Sequence, residues 1–125
     1  MVFEVEITAP ANEAINLGTR STPLELDGAI TFSNVAFHYA TRPDVPVLKN
    51  VSFSARPGER VALVGPSGAG KSTIASLVLR FYQPVEGSIT IDGRDIASYD
   101  LTAFRDRLSI VPQEVLLFGG TIREN

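Results

Sequence analysis

The segment Gly65-Pro66-Ser67-Gly68-Ala69-Gly70-Lys71-Ser72 decides the fold of this chain. It follows the spacing G-x-x-x-x-G-K-[ST], which a window of average composition meets by chance about once in 30,000 trials. Four apolar residues, 61–64, precede it, and apolar side chains follow at helical spacing up to Phe81. The sequence therefore predicts a strand, a tight loop and a helix in that order, with Gln83-Pro84 ending the helix.

The glycines of this loop suit close contact with a dense anion. A chain that wraps a polyphosphate with successive backbone N–H groups has no room for Cβ atoms, which explains glycine at 65, 68 and 70. The helix that opens near Gly70 adds unpaired N–H groups and the positive end of its dipole. Pro66, Ser67 and Ala69 complete the predicted phosphate-binding loop.

Three side chains after the glycines supply the remaining chemistry. We predict that the Lys71 ammonium faces the β- and γ-phosphates and that the Ser72 hydroxyl binds Mg²⁺. Thr73 adds a hydroxyl and an N–H near the α-phosphate. The dinucleotide pattern G-x-G-x-x-G fails, because Ser67 and Thr73 stand where it needs glycine. We therefore expect ATP or GTP, with Mg²⁺, in preference to NAD.

Composition excludes several other classes of protein. The 125 residues carry 11 basic and 14 acidic side chains, a net charge of -3, so no polybasic surface for nucleic acid is expected. No cysteine is present, which excludes thiolate metal sites, disulfides and a cysteine nucleophile. No apolar run approaches the roughly 18 residues of a membrane-spanning helix. The chain is predicted to be one domain or part of one.

The first half of the chain divides near residue 30. Residues 1–29 mix scattered apolar positions with proline and glycine, which predicts a linker. Apolar side chains then alternate along 30–39, and their parity changes at Ser33-Asn34, which indicates a bulged strand. A second alternating strand ends at Pro57-Gly58, a type II turn pair, and the two strands are predicted to be antiparallel. The continuously apolar 61–64 predicts a parallel strand covered on both faces.

The second half shows weaker signals of the same kinds. Alternating isoleucines precede a turn at Asp92-Gly93, and Asp100 is predicted to cap a short helix. Residues 108–111 form a second candidate for a buried strand, ended by Pro112. Near the end of the chain, Thr121 and Glu124 have the spacing of a capping box. Because one helical turn is not stable alone, we expect the sequence to be a piece of a longer protein.

Three residues keep two interpretations when spacing alone is considered. Asp92 is either a Mg²⁺ ligand at the end of a strand or, as we favour, part of a turn. Gln113 follows a predicted buried strand, so its amide either reaches metal or water or, as spacing favours, lies exposed. The Tyr39 ring either stacks on a base or, as its parity with Val35 and Phe37 favours, packs in the core.

Most of the chain resembles the nucleotide-binding domain of ATP-binding cassette transporters, specifically exporters of the multidrug, peptide and mitochondrial half-transporter kind. The resemblance covers residues 30–125. It rests on these segments: Phe37-His38-Tyr39, Thr41-Arg42-Pro43-Asp44-Val45-Pro46-Val47-Leu48, Pro57-Gly58-Glu59, residues 65–73, Pro84-Val85-Glu86-Gly87, Ile91-Asp92-Gly93-Arg94-Asp95-Ile96, Val111-Pro112-Gln113-Glu114 and residues 117–125.

The resemblance changes two of these preferences. It implies that Tyr39 stacks on adenine and that Gln113 contacts Mg²⁺ and the attacking water, whereas Asp92 matches no catalytic position. Lys71 and Gln113 are then the catalytic residues, and Ser72 and Gln113 the metal ligands. The implied fold class is α/β: part of a P-loop NTPase (RecA-like) parallel core with an antiparallel β subdomain, truncated before the helical subdomain. Residues 1–29 resemble the linker that follows a membrane domain.

The resemblance also implies partners that these residues do not contain. They are the protein's own transmembrane domain and a second nucleotide-binding domain, in a homodimer or heterodimer. Localisation is expected at a membrane through the parent transporter, on its cytoplasmic or organelle-matrix side. The L-S-G-G-Q signature, the strand ending in Asp-Glu and the switch histidine of the family are absent from the 125 residues. We therefore expect weak Mg-ATP binding without turnover; the alternative is a self-contained nucleotide-binding or regulatory module with no transport role.

Overall fold

The computed structural model describes residues 3–4 and 24–111 of the chain. Within these ranges, no helix is long and apolar enough to cross a membrane. In chain order the elements are β1 (Phe3–Glu4), β2 (Ile30–Phe37), β3 (Leu48–Ala55), β4 (Ala62–Leu63), α1 (Lys71–Val78), β5 (Glu86–Ile91), β6 (Arg94–Asp95), a 3₁₀ turn (Ile96–Ser98) and α2 (Leu101–Arg105).

A four-stranded sheet in the order β3-β2-β5-β6 organises the core, and each neighbouring pair in it is antiparallel. The predicted bulge in β2 is confirmed, because the register with β3 shifts between Phe32 and Val35 and Asn34 has a φ of 51°. The bulge lets residues of both parities point into one core. These buried residues of β2 are Ile30, Phe32, Val35 and Phe37.

The turn that follows β3 is also confirmed. The Glu59 N–H donates to the Arg56 carbonyl at 3.0 Å across Pro57-Gly58, and Gly58 has a φ of 72°. That is the positive value the third residue of a type II turn requires. The turn directs the chain from β3 toward β4 and the loop that precedes α1.

The prediction of a parallel strand covered on both faces at 61–64 was wrong for the described part of the chain. Only Ala62–Leu63 forms a strand, and it pairs antiparallel with β1. Val64 is 81% exposed. Among the described residues no strand lies parallel to β4, although Val61 packs against the core.

Helix α1 is shorter than its apolar pattern predicts. It ends at Val78 and not at Gln83, and Phe81, expected on the buried face, is 59% exposed. The cause is Arg80, which adopts a φ of 56° and whose guanidinium donates to the Tyr99 carbonyl at 2.8 Å. These contacts turn the chain out of the helix and toward β5.

The elements after α1 bring a second set of apolar side chains under the sheet. Asp100 caps α2 as predicted, accepting from the Ala103 N–H at 2.9 Å, and Phe104 is fully buried. Tyr99 donates its hydroxyl to the Ile91 carbonyl at 2.9 Å and stacks on Phe104. The strand predicted at 108–111 does not form, and Val111 is 81% exposed. No described strand lies alongside it to supply the ladder partners a strand needs.

Candidate functional site: a phosphate-binding loop

The predicted loop lies where α1 meets the end of the β2–β3 pair that is closed by the loop between these strands. Gly70 is the N-cap of α1, with a φ of 87°. A Cβ at Gly70 would lie 2.7 Å from Leu48 Cδ2 and 3.3 Å from the Val47 carbonyl oxygen. Glycine is therefore required twice at this position, for the left-handed backbone and for close packing of the helix start against β3.

The other two glycines have different reasons. Gly68 has a φ of 80°, and a Cβ there would meet nothing within 4 Å. Glycine is therefore favoured at this position by the left-handed backbone and not by crowding. At Gly65 a Cβ would approach the Ala69 Cβ to 3.1 Å. The Ala69 N–H donates to the Pro66 carbonyl at 3.2 Å and closes the turn inside the loop. Pro66, Ser67 and Ala69 are exposed.

Lys71 lies inside the loop that it follows. Its Nζ donates to the Gly65 and Pro66 carbonyls, at 2.6 Å each, and only 7% of the residue is exposed. Two backbone carbonyls thus satisfy a buried ammonium, as burial of a charge requires. This geometry places a full positive charge at the loop, beside the N-terminus of α1.

The first turn of α1 adds donors of two kinds. The first intrahelical bond runs from the Ile74 N–H to the Gly70 carbonyl at 3.0 Å, so the N–H groups of Lys71, Ser72 and Thr73 have no acceptor within the helix. Ser72 is exposed, so its hydroxyl is accessible to a ligand. Amides, a hydroxyl and an ammonium converge here, and together they can hold an anion.

Tyr39 lies within reach of the same helix, which spacing alone did not reveal. Its hydroxyl is 2.9 Å from Thr73 Oγ1, and Thr73 is 3% exposed. The ring meets Phe37 and Tyr82 edge-on, at centroid distances of 5.0 and 5.3 Å. Tyr39 therefore packs against the core and also contacts the phosphate-binding helix, so the two interpretations of its position do not exclude each other.

The remaining candidates lie elsewhere. Gln113 is outside the described residues, and its role stays a prediction. Asp92 lies in the β5–β6 turn, as the turn interpretation expected, with φ values of 53° at Asp92 and 76° at Gly93. Among the described residues, no group of three or more acidic or histidine side chains could hold a metal ion.

The Asp92 carboxylate has a structural task that the sequence did not indicate. It accepts the Asp27 N–H at 2.8 Å, the Gly28 N–H at 3.0 Å and the Ala29 N–H at 2.8 Å. In return, the Asp92 N–H donates to the Ala29 carbonyl at 2.7 Å. Leu24 and Leu26 pack against the core beside this contact. The end of the predicted linker is therefore docked on the sheet, while its boundary at residue 29 stays a prediction.

Arginine side chains support the site from the other end of α1. Arg105 donates to the Leu79 carbonyl at 2.9 Å and the Arg80 carbonyl at 3.0 Å. A cation at the last carbonyls of a helix satisfies them and complements the helix dipole. In the sequence, Arg105 is recognisable only as a basic residue in the short predicted helix after Asp100. Its position there does not indicate which carbonyl groups it contacts.

Fold and site together define a phosphate-binding-loop domain of the nucleotide-binding kind. The family model described as ABC transporter matches residues 48–125, well over half of the chain. The chain therefore belongs to the ABC transporter family, and its fold is the α/β P-loop NTPase fold with an antiparallel sheet.

Individual relatives agree with this assignment. ABC transporter B family member 1 of Arabidopsis thaliana is 44% identical over 124 residues, 99% of this chain and 10% of that protein. The ABC multidrug transporter atrD of Emericella nidulans is 50% identical over 100 residues, 80% of this chain and 7% of that protein. A solved structure of a bacterial Atm1-family ABC exporter with ATP bound superposes with a TM-score of 0.69 at 54% identity, covering 76% of this chain and 16% of that one. The chain thus spans about a tenth or less of the curated relatives it matches.

Proposed function

We propose that this chain is the ATP-binding portion of an ABC exporter, which couples ATP binding and hydrolysis to export of a substrate across a membrane. The observation that carries the proposal is the Lys71 ammonium, buried within the loop at the start of α1 and held by two backbone carbonyls at 2.6 Å. A buried cation beside unpaired first-turn amides is suited to a polyphosphate.

The residues present fit a magnesium–nucleotide complex. The loop from Gly65 to Gly70 supplies backbone N–H groups, except at Pro66, which has none, and at Ala69, whose N–H donates within the loop. Lys71 supplies the charge for the terminal phosphates, and Ser72 an exposed hydroxyl for Mg²⁺. Magnesium bound with a triphosphate uses few protein ligands, so one hydroxyl with Gln113 is a sufficient set. When bound, the metal would neutralise charge on the phosphates.

The base and the wider assembly are proposed from the relatives. We assign Tyr39 to stack on adenine, and the similarity to an ABC multidrug transporter and to an Atm1-family ABC exporter supports a multidrug or Atm1-type exporter. The partners are then the protein's own transmembrane domain and a second nucleotide-binding domain, with the described site on the cytoplasmic or organelle-matrix side.

Turnover needs groups that the 125 residues do not include. The family signature L-S-G-G-Q and a strand ending in Asp-Glu occur nowhere in the sequence. A base or water-positioning carboxylate is part of phosphoryl transfer in this class of site. We therefore propose that the chain by itself binds Mg-ATP and does not sustain hydrolysis.

A calorimetric titration of Lys71→Ala with Mg-ATP tests the proposal. Loss of a hydrogen bond to a charged group should weaken binding by about 1.5–3 kcal/mol, roughly 10- to 150-fold in Kd. Lys49→Ala is the matched control, because Lys49 is an exposed lysine on β3 and its removal should leave the affinity unchanged. Equal affinities of Lys71→Ala and the unmodified chain would contradict the proposed nucleotide site. A steady ATPase rate of the unmodified chain that Lys71→Ala abolishes would contradict the proposal that the chain by itself does not sustain hydrolysis.

A further inference from the structure

A single contact between hydroxyl groups connects two parts of the proposed site. Tyr39 Oη and Thr73 Oγ1 are 2.9 Å apart and come from residues 34 positions apart in the chain. Tyr39 lies just beyond the end of β2, and Thr73 is the third residue of α1. The contact thus joins the proposed base-binding ring to the first turn of the phosphate-binding helix.

Burial makes this hydrogen bond necessary for Thr73. The residue is 3% exposed, and a buried hydroxyl without a partner costs free energy. Threonine in a helix commonly donates back to a carbonyl three or four residues earlier. Here the Tyr39 hydroxyl is the side-chain partner, so the rotamer of Thr73 and the direction of the Tyr39 ring depend on each other.

The backbone at Tyr39 is held in a turn, because its carbonyl accepts from the Arg42 N–H at 2.9 Å, but this bond does not set the direction of the ring. Residues 40–46 are exposed, and the loop is closed by a hydrogen bond from the Val47 N–H to the Phe37 carbonyl at 2.9 Å. The ring is near-perpendicular to those of Phe37 and Tyr82, at 84° and 87°. These contacts hold the ring at its sides, whereas the hydroxyl fixes its far end against α1.

We infer that Thr73 is a positioning residue for the base: its hydroxyl holds the Tyr39 ring at a set distance from the phosphate-binding loop. The inference rests on the proposed function, because it assumes that Tyr39 stacks on the base. A ring fixed before the ligand arrives loses less entropy on binding, which favours a ligand carrying both a base and phosphates over phosphates alone. Thr73 therefore contributes to nucleotide selectivity through Tyr39.

Titrations with two ligands test this inference. Mg-ATP carries a base, and inorganic tripolyphosphate with Mg²⁺ does not. Tyr39→Phe keeps the ring and removes only the hydroxyl. We expect it to weaken ATP binding roughly fivefold, the size of one neutral hydrogen bond, and to leave tripolyphosphate binding unchanged. Thr73→Val should weaken ATP binding less in the Tyr39→Phe background than in the unmodified chain, because both changes remove the same bond.

Matched variants keep the result interpretable. Thr73→Ser retains a hydroxyl and should preserve ATP affinity, and Tyr82→Phe removes a neighbouring tyrosine hydroxyl that has no hydrogen bond within the described residues. Circular dichroism establishes that each variant is folded. Equal weakening for ATP and tripolyphosphate, or additive effects of the two substitutions, would overturn the inference alone. Failure of the unmodified chain to bind either ligand would overturn the proposed function and the inference with it.

Discussion

Glycine is required at Gly70 and Gly68 for different physical reasons, and substitution can separate them. Both have positive φ, but only at Gly70 would a Cβ collide with neighbours, among them the buried Leu48. A left-handed alanine costs about 1–2 kcal/mol, and overpacking a core adds to that. An alanine substitution at Gly68 therefore tests the backbone conformation alone, whereas an alanine at Gly70 tests the backbone conformation and the packing against Leu48 together.

We expect Gly68→Ala to lower the free energy of unfolding by about 1 kcal/mol and Gly70→Ala to lower it by about 3 kcal/mol. Urea unfolding followed by circular dichroism measures both values. The order of the two variants is the informative result. Similar losses would mean that Leu48 and Val47 move aside without cost, contrary to the close approach in the structure.

The residues of the phosphate-binding loop could be predicted from the sequence. Two contacts elsewhere in the described structure could not. The spacing of Gly65, Gly70 and Lys71 is local, and one motif specifies it. The bond between Tyr39 and Thr73 joins distant parts of the chain, and no periodic pattern encodes which hydroxyl meets which. The same distinction applies to Asp92. Its turn is local in the sequence and was correctly predicted, whereas its contact with residues 27–29 joins distant parts of the chain and was not foreseen.

At the scale of elements, the β5–β6 turn is predicted to control the order of the preceding chain. Asp92→Ala removes the acceptor for three backbone N–H groups, so hydrogen exchange at Asp27, Gly28 and Ala29 should accelerate. Asp92→Asn tolerates the left-handed backbone and keeps one oxygen, so its effect should be smaller. Exchange followed by NMR or mass spectrometry measures both variants.

A control distinguishes this local effect from general loosening. Asp44 lies exposed in the loop between β2 and β3, and Asp44→Asn should leave exchange at residues 27–29 unchanged. Unaltered exchange in Asp92→Ala would show that the packing of Leu24 and Leu26 and the bond from the residue 92 N–H to the Ala29 carbonyl hold the segment without the carboxylate.

Tyr99, between the 3₁₀ turn and α2, is predicted to make the fold sensitive to alkaline pH. Burial raises the pKa of Tyr99 above its ordinary value of 10.0; the negative charge of Asp92 acts in the same direction, and the charge of Arg94 opposes it. Above pH 10.0 the unfolded chain therefore loses this proton before the folded chain does. The contribution of protonated Tyr99 to the free energy of unfolding is complete below pH 10.0 and is lost as the pH rises through the pKa of Tyr99 in the folded chain.

Melting temperatures between pH 9 and about pH 11 check this prediction. The unmodified chain should lose stability more steeply above pH 10.0 than Tyr99→Phe, which cannot ionise at this position. Tyr99→Phe also loses the bond to the Ile91 carbonyl, so its melting temperature is lower at neutral pH and only the slopes are compared. Tyr82→Phe should keep the steep slope, and parallel curves for Tyr99→Phe and the unmodified chain would contradict the role assigned to burial.

The elements that the sequence predicted best are those whose signals are satisfied locally. The bulge in β2 follows from a parity change, the turn at Pro57-Gly58 from residue types, and the cap of α2 from Asp100. Residues 61–64 and 108–111 were assigned as buried strands because they are apolar, and apolar composition says nothing about whether a neighbouring strand is available. Helix α1 ended early because Arg80 contacts Ala97 and Tyr99, 17 and 19 positions further along the chain, and periodicity does not register such contacts.

At the scale of the whole molecule, the described surface retains apolar side chains. Val64 and Val111 are each 81% exposed and Ile110 is 53% exposed. Exposed apolar surface beside a short strand favours association between copies. We expect the mass measured by sedimentation to rise with concentration, and the double variant Val64→Ser, Val111→Ser to reduce that rise.

Val45→Ser provides the control, because Val45 is 54% exposed in the loop between β2 and β3. It should associate like the unmodified chain. A chain that stays monomeric and unfolds cooperatively would favour the alternative of a self-contained nucleotide-binding module over a portion of an exporter.

The anchoring of residues 27–29 has a mechanical consequence. Tension along the chain ahead of Asp27 meets Asp92 before it reaches the first residue of β2. Two attachments therefore share the load: the backbone that continues into β2, and the Asp92 carboxylate in the turn between β5 and β6.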